Sequence, residues 1–147
     1  MRHQKTGRQL SRTHSHRKAL MRNLTTALFE YERIETTLAK AKEARRVAER
    51  LITHAKRDDV ASRRLVARTV RKPEIVQKLF TTIAPWYANR PGGYTRVIRT
   101  RARLGDGGEM AILELVKSAE QKAADRKARE QAAKATEDKK EKKKKEK

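Results

Sequence analysis

The residues with the clearest chemical potential in this sequence are cations near its start. Residues 1–22 contain seven Lys and Arg, three of the four His and no acid. Because this segment carries no counter-charge of its own, it favours an anionic partner, and guanidinium groups bind phosphate through paired hydrogen bonds. We therefore predict that this segment contains an arm that binds a polyanion. Its seven cations are Arg2, Lys5, Arg8, Arg12, Arg17, Lys18 and Arg22.

A second group of cations lies in VIRTRARL, where Arg99, Arg101 and Arg103 alternate along a predicted strand. Alternation places all three on one face, where like charges repel unless an anion covers them. The preceding pair Gly92 and Gly93 has two interpretations that the sequence leaves open. Glycines form turns, and they also let backbone approach a phosphate closely.

Carboxylates suited to acid–base catalysis are few. Glu30, Glu32 and Glu35 fall at a predicted helix end and strand, and the pair Asp58 and Asp59 resembles a helix cap. The sequence contains no GxSxG, Walker A, HExxH or GxGxxG pattern. We therefore expect no enzymatic activity and no small-molecule substrate.

Metal and cofactor sites are also not expected. His14 and His16 have the spacing of a ligand pair, but no third ligand of suitable type is near them, and a phosphate-contacting role is favoured. His54 is expected to be a hydrogen-bonded, half-buried helix residue. The absence of cysteine excludes disulfides, Cys-ligated zinc, iron–sulfur clusters and thiol nucleophiles.

Composition defines the class of partner. The 147 residues carry a net charge of +21, and no apolar stretch approaches the roughly 20 residues of a membrane span. The basic start has no apolar core behind it, so no secretion signal is expected. Nucleic acid is the expected polyanion, although charge alone does not choose RNA over DNA. Trp86, Tyr87 and Tyr94 could stack on bases or, alternatively, pack around a helix end.

The charge divides at Lys117. Residues 117–147 hold 13 Lys and Arg against 7 Asp and Glu, so +6 belongs to this tail and +15 to residues 1–116. Alanine is the tail's only apolar residue, and such a segment cannot bury enough surface to offset its ordering entropy. We predict one domain over residues 1–116 with an extended arm over about residues 1–14. The tail is predicted to form a transient helix and then a disordered end.

The spacing of apolar residues predicts four helices. The first ends near Tyr31 and buries Leu20, Leu24, Leu28 and Tyr31, and Ser11, Thr13 or Ser15 begins it. The second runs to about Arg57, the third from Asp59 to Val70 with Ala61, Leu65 and Val66 buried, and the fourth from Pro73 to Ala84.

Three strands complete the predicted elements: Arg33–Thr37, Val97–Leu104 and Met110–Val116, the last two joined by a turn at Asp106-Gly107. In the second strand Tyr94, Ile98, Ala102 and Leu104 are expected on the apolar face. The order α-β-α-α-α-β-β predicts an α+β fold, a small sheet with helices on one face. The first strand is expected to join the hairpin, since neither is stable alone.

Four stretches also carry a family resemblance. They read MRHQKTGRQLSRTHSHRKALMRN, ETTLAKAKEARR, RLITHAKRDD with the basic helix ASRRLVARTV after it, and RPGGYTRVIRTRARLGDGGEMAILELV. In this order, over residues 1–116, they resemble the bacterial large-subunit ribosomal protein seventeen family. Ala39 stands where the family usually has proline, which concerns only where the second helix begins.

The resemblance implies a small α/β domain on the solvent side of the large ribosomal subunit, toward the nascent-chain exit. Its implied partners are large-subunit (23S) ribosomal RNA and neighbouring ribosomal proteins, and its location is cytoplasmic. The strand argument adds Arg99 and Arg101 as RNA contacts. By position, the resemblance implies RNA contacts at Arg2, His3, Lys5, Arg8, Arg12, His16, Arg17, Arg22, Lys40, Lys42, Gly92, Gly93, Tyr94 and Arg96.

The leading hypothesis is a structural constituent of the ribosome that binds and organises ribosomal RNA. The alternative is a basic DNA-architectural protein of the nucleoid type, which would carry a similar charge.

Overall fold

The computed structural model describes residues 7–117, so the predictions for the tail and for the first six residues lie outside the described part. The predicted α+β class and the order of the helices and strands are confirmed. The helices are α1 (His14–Tyr31), α2 (Leu38–Ala55), α3 (Val60–Ala67) and α4 (Pro73–Lys78), and the strands are β1 (Arg33–Thr37), β2 (Thr95–Ala102) and β3 (Glu109–Leu115).

Helix α2 forms the centre of the fold because one of its faces consists largely of alanine. Ala41, Ala44 and Ala48 are completely buried, and Leu51 and Ile52 extend the same face. Small side chains let the helix axis approach the sheet closely, while the larger pair fills the space at its far end. The buried face begins at Leu38, the first residue of the helix. Helix α2 contacts all three strands and thereby covers the inner face of the sheet.

Helix α1 buries Thr25, Leu28 and Phe29. The prediction that Tyr31 belongs to its buried face is wrong, since Tyr31 is 69% exposed. Tyr31 is three residues after Leu28, which corresponds to 300° of helix rotation. It therefore lies about 100° from the middle of the arc that Thr25, Leu28 and Phe29 bury. The helix ends at the next residue, Glu32, whose left-handed backbone lets its N–H donate to the Leu28 carbonyl at 2.7 Å.

Helix α3 is shorter than predicted and presents a different face to the core. It ends at Ala67, before Val70, and buries Ser62 and Val66. Leu65, predicted to be buried, is 41% exposed. The predicted cap is confirmed, because the Asp59 side chain accepts the Ser62 N–H at 2.9 Å.

The Asp59 cap makes stability depend on pH. Hydrogen bonds from the Ser62 side chain and backbone hold the pKa of Asp59 below its ordinary value of 3.8. A lowered folded-state pKa gives stability that is present above pH 3.8 and is lost as the pH falls through the folded-state value. Replacing Asp59 by Asn keeps an acceptor but removes the charge. We expect the melting-temperature difference between Asp59→Asn and the unmodified chain to shrink below pH 3.8. A difference that stays constant across that range would contradict the cap's electrostatic role.

Helix α4 begins at Pro73, as predicted, and continues through a π-helical turn over Leu79–Ile83. Its buried face contains Ile75, Leu79, Phe80 and Ile83. The π-helical turn ends at Ile83 with Ala84 as its C-cap, because Pro85 has no N–H to donate to the helical ladder. Pro85–Tyr87 then form a single 3₁₀ turn.

The sheet is antiparallel with the order β1-β3-β2, so the last strand lies in the middle. This confirms that the first strand joins the hairpin. Cα partners include Ile34 with Leu113 and Val97 with Leu113. Those residues lie on the inner face, toward α2, together with the buried Ala111 and Leu115.

A β-bulge corrects the prediction for the arginine strand. Arg99 pairs with Ala111, but Ala102 pairs with Glu109, so β2 contains one extra residue between these pairs. An extra residue reverses the alternation of side chains beyond it. Arg99 is therefore in register with the inner face, whereas Arg101 lies on the outer face, and the predicted single arginine face is wrong.

The structure also reverses the predicted inner and outer positions of two apolar residues in β2. Val97, predicted on the arginine face, packs against the core. Ile98, predicted on the buried face, pairs with Ile112 on the outer face and is 37% exposed. Val97 and Ile98 are adjacent branched apolar residues that point to opposite faces of the strand. Alternation alone therefore could not choose which face is buried.

Candidate nucleic-acid interface

Ion pairs divide the cations of this protein into two groups. Four of the five arginines of the sheet and its hairpin are paired: Glu114 holds Arg33 and Arg96, Glu35 lies 3.9 Å from Arg101, and Asp106 holds Arg103. The pKa of Asp106 is held well below its usual range by this arginine. The outer sheet face therefore supplies its own counter-charge, which the sequence pattern had not indicated.

The second group makes no ion pair with any acid among residues 7–117. It includes members of the arm, helix α1, the exposed side of α2, and the segment from α3 to α4. These side chains are the available phosphate ligands of the described structure. The group contains Arg8, Arg12, Arg17, Lys18, Arg22, Lys40, Lys42, Arg46, Arg50, Lys56, Arg57, Arg64, Arg68, Arg71, Arg90 and Arg99.

The described part of the arm lies against α2. Gly7 has φ +100°, and a Cβ at this position would be 3.2 Å from Oε2 of Glu43. The positive φ favours glycine, whereas the close contact is with the end of the flexible Glu43 side chain. Beyond it, Leu10 and Ser11 also have positive φ, of 57° and 50°. The arm thus enters α1 through a tight, left-handed turn that places the arm beside α2.

Arg12 and Arg17 differ from Arg8 in how they contact this turn. Arg12 is half-buried, and its Nη1 donates to the Leu10 carbonyl at 2.9 Å. Arg17 is also half-buried, and its Nη1 donates to the Arg8 carbonyl at 3.5 Å. Arg8 is exposed. Arg12 therefore holds the turn, whereas the Arg8 side chain is accessible to a ligand.

Of the two interpretations of the aromatic side chains, the burial of Tyr87 and Tyr94 favours packing over base stacking. Tyr94 is 3% exposed and Tyr87 is 1% exposed, and their ring centroids are 5.0 Å apart. Burial raises the pKa of the Tyr87 phenol above its usual range. Trp86 is half-buried and packs against the core. These rings hold the loop before β2 on the end of α2, where Lys56 lies 5.4 Å above the Tyr94 ring.

The predicted glycine loop is exposed beside these rings. Gly93 has φ +64°, and nothing lies within 4 Å of a Cβ added at Gly92 or Gly93. The Arg90 Nε donates to the Gly92 carbonyl at 3.1 Å. The open side of both glycines leaves room for a phosphate to approach the backbone.

The carboxylates considered for catalysis hold the helices together. Glu30 accepts from Lys72 at 2.8 Å, and Glu32 lies 2.9 Å from Lys78, so α1 and its C-cap are joined to α4. Residues 7–117 contain no cluster of three or more His, Cys, Asp or Glu suited to a metal ion. His54 is half-buried as predicted, but its buried Nδ1 has no hydrogen-bond partner there, which corrects the expected satisfied histidine.

Several of these cations were not predicted as ligands. Lys42, Arg46 and Arg50 recur every four residues along the exposed side of α2, where like charges repel. That spacing was readable from the sequence, although only Lys42 was singled out. Arg64 and Arg68 repeat it on α3.

No helix within residues 7–117 combines the length and apolar character needed to cross a membrane. A comparison with protein-family models finds a match to the family described as ribosomal protein L17, over residues 20–116. The matched range contains the sheet, the glycine loop and all four helices except the first six residues of α1. The arm precedes the matched range.

Proposed function

Since the chain belongs to the ribosomal protein L17 family, we propose that it binds and organises large-subunit ribosomal RNA. Membership makes it a structural protein of the large ribosomal subunit, located in the cytoplasm. The family is structural rather than catalytic. We propose, in keeping with this, that the protein has no enzymatic activity or small-molecule substrate, and that neighbouring ribosomal proteins are its other partners.

The observation that carries this proposal is the cluster of cations without acidic partners on the arm, α1 and α2. Each such cation that neutralises a phosphate releases a condensed counterion, which favours binding in a salt-dependent way. Placed between RNA segments, these side chains would lower the repulsion that keeps the segments apart and so fix their geometry. The match gives no support to the DNA-architectural alternative.

The proposed RNA contacts are those expected from the sequence, and they differ in whether an acidic partner already holds the side chain. Arg8, Arg22, Lys42 and Arg99 present cations without acidic partners, and His16 is exposed. Arg96 and Arg101 would have to exchange a carboxylate for a phosphate. Contact through Tyr94 would be limited to its backbone. Arg2, His3 and Lys5 are also proposed contacts but precede the described residues. The remaining proposed contacts are Arg12, Arg17, Lys40, Gly92 and Gly93.

Crosslinking in cells combined with sucrose gradients tests this function. We expect the tagged protein to sediment with large subunits and ultraviolet crosslinking to recover large-subunit ribosomal RNA. Binding by neutralised phosphates also predicts that salt washes release the protein. A protein found mainly at the top of the gradient, or crosslinked mainly to DNA, would contradict the proposal.

A further inference from the structure

Two clefts adjoin each other along helix α1. The first, of about 260 Å³, lies between the arm, α1 and α2. The second, of about 360 Å³, lies between α1 and the segment that links α3 to α4. Arg22 and Thr69 line both clefts, so together they form one continuous feature, which we call the α1 groove.

The first cleft of the α1 groove has an apolar floor. Leu10, Met21 and Val47 come from the arm, α1 and α2 and line it together. All three side chains are half-buried, so the floor is open to a ligand. A flexible thioether such as that of Met21 makes favourable contacts with aromatic rings.

The rim of the α1 groove is cationic. Arg17, Lys18 and Arg22 line it from α1, and Arg71 lines it from the opposite side. Two acids also line the groove, but Glu30 is held by Lys72 and Glu43 lies beside Gly7. The rim therefore matches a ligand that carries several phosphates.

We propose that the α1 groove binds a single-stranded segment of RNA, with one unpaired base in the first cleft. This inference rests on the proposed RNA-binding function and adds the form of RNA that this surface takes. An apolar floor below a cationic rim is complementary to the flat face of a base and to the phosphates beside it. A paired helix offers only phosphates, sugars and base edges to such a surface.

The size of the first cleft limits what it can hold. At about 260 Å³ it is slightly smaller than the roughly 300–1,000 Å³ range of small-molecule pockets. One base fits this space, whereas a helix does not. The second cleft continues the groove past Arg22, along which the sugar-phosphate chain would run. Single-stranded loops and bulges are the parts of RNA whose bases can be splayed out in this way.

Methionine methyl groups provide a direct test on the full chain. The protein has three methionines, and Met21 lies in the cleft while Met110 lies on the outer sheet face. The protein is labelled with ¹³C at the methionine methyls, and Met21→Leu and Met110→Leu assign the signals. It is then titrated with single-stranded oligouridylate and, separately, with an RNA duplex of equal phosphate concentration.

We expect oligouridylate to move the Met21 signal, saturating with the binding curve, and to move the Met110 signal less, because Met110 lies outside the groove, in a pocket with Arg101. The duplex should bind without moving Met21. Oligouridylate binding that leaves Met21 unmoved, or moves Met21 and Met110 equally, overturns the groove proposal but leaves the RNA-binding function intact. Failure to bind any RNA, including transcribed large-subunit ribosomal RNA, overturns both. A Met21 signal that moves on deletion of residues 1–6 but not with RNA would assign the cleft to the chain's own arm and overturn the proposal.

A groove-filling variant gives a second measurement. Val47→Phe places a ring on the floor, and Ile112→Phe adds the same ring to the outer sheet face as a control. We expect Val47→Phe to weaken oligouridylate binding roughly tenfold, the size of one lost base contact. Its affinity for duplex RNA and the salt slope should not change, because no phosphate contact is lost. Equal weakening for both RNAs, or none for either, would contradict an unpaired base in the cleft.

Discussion

Replacing Arg8, Arg17 and Arg22 together by Gln is expected to lower the affinity for large-subunit ribosomal RNA roughly a hundredfold at 0.1 M salt. None of the three forms an ion pair with an acid among residues 7–117, and all three lie on the arm or α1. Each phosphate contact adds about 0.7–0.9 to the slope of log affinity against log salt. Three lost contacts therefore remove about two to three from the slope, which corresponds to about two orders of magnitude at 0.1 M.

A matched control separates these contacts from net charge. Arg33, Arg63 and Arg103 each form an ion pair, with Glu114, Asp58 and Asp106 respectively. Replacing these three by Gln lowers the net charge by the same amount. We expect that variant to keep most of its affinity and slope, measured by filter binding across a salt series. Equal losses in both variants would mean that overall charge, and not the arm and α1, determines binding.

Truncation of one core side chain is expected to have the largest effect on stability. Phe29 is completely buried on α1, within the core cluster that α1 shares with α2, α4 and the sheet. Phe29→Ala removes its transfer free energy and leaves a cavity, at a cost of about 3–5 kcal/mol. Domains of this size are stable by only about 5–15 kcal/mol, so the loss is a large fraction of the total. The melting temperature should fall by roughly 10–25 °C.

Leu104→Ala is the control for this truncation. Leu104 is also a large apolar residue but is 95% exposed, and its removal should change stability by no more than about 0.5 kcal/mol. Thermal unfolding followed by circular dichroism measures both variants. Similar melting temperatures for the two variants would mean that Phe29 is not part of a packed core.

Much of the fold could be predicted from local patterns. The alanine stripe of α2 has a clear 3.6-residue period, and Asp59 and Pro73 mark helix starts by their own backbone chemistry. The charge-rich, acid-free arm was equally evident from sequence, as was the division at Lys117. These features depend on neighbours within one or two turns, which is the range over which sequence spacing determines structure.

Pairing across the sheet could not be predicted in the same way. The bulge between Arg99 and Ala102 exists only because β2 is matched to β3, and it places Arg101 beside Glu35. The ion pair of Arg96 with Glu114 likewise joins residues 18 positions apart. The strand pattern alone predicted that Arg99, Arg101 and Arg103 share one face and repel one another unless an anion covers them.

The sequence by itself determined the charge, its concentration in an arm without acids, the helical periods and hence the class of partner. Only the tertiary structure decided which cations remain available to that partner. Glu114, which is distant in the chain from Arg33 and Arg96, neutralises both, and core packing removes Tyr87 and Tyr94 from solvent. The physical reason is that composition sets the total charge, whereas Coulomb pairing and burial depend on distances of a few ångströms that only folding brings about.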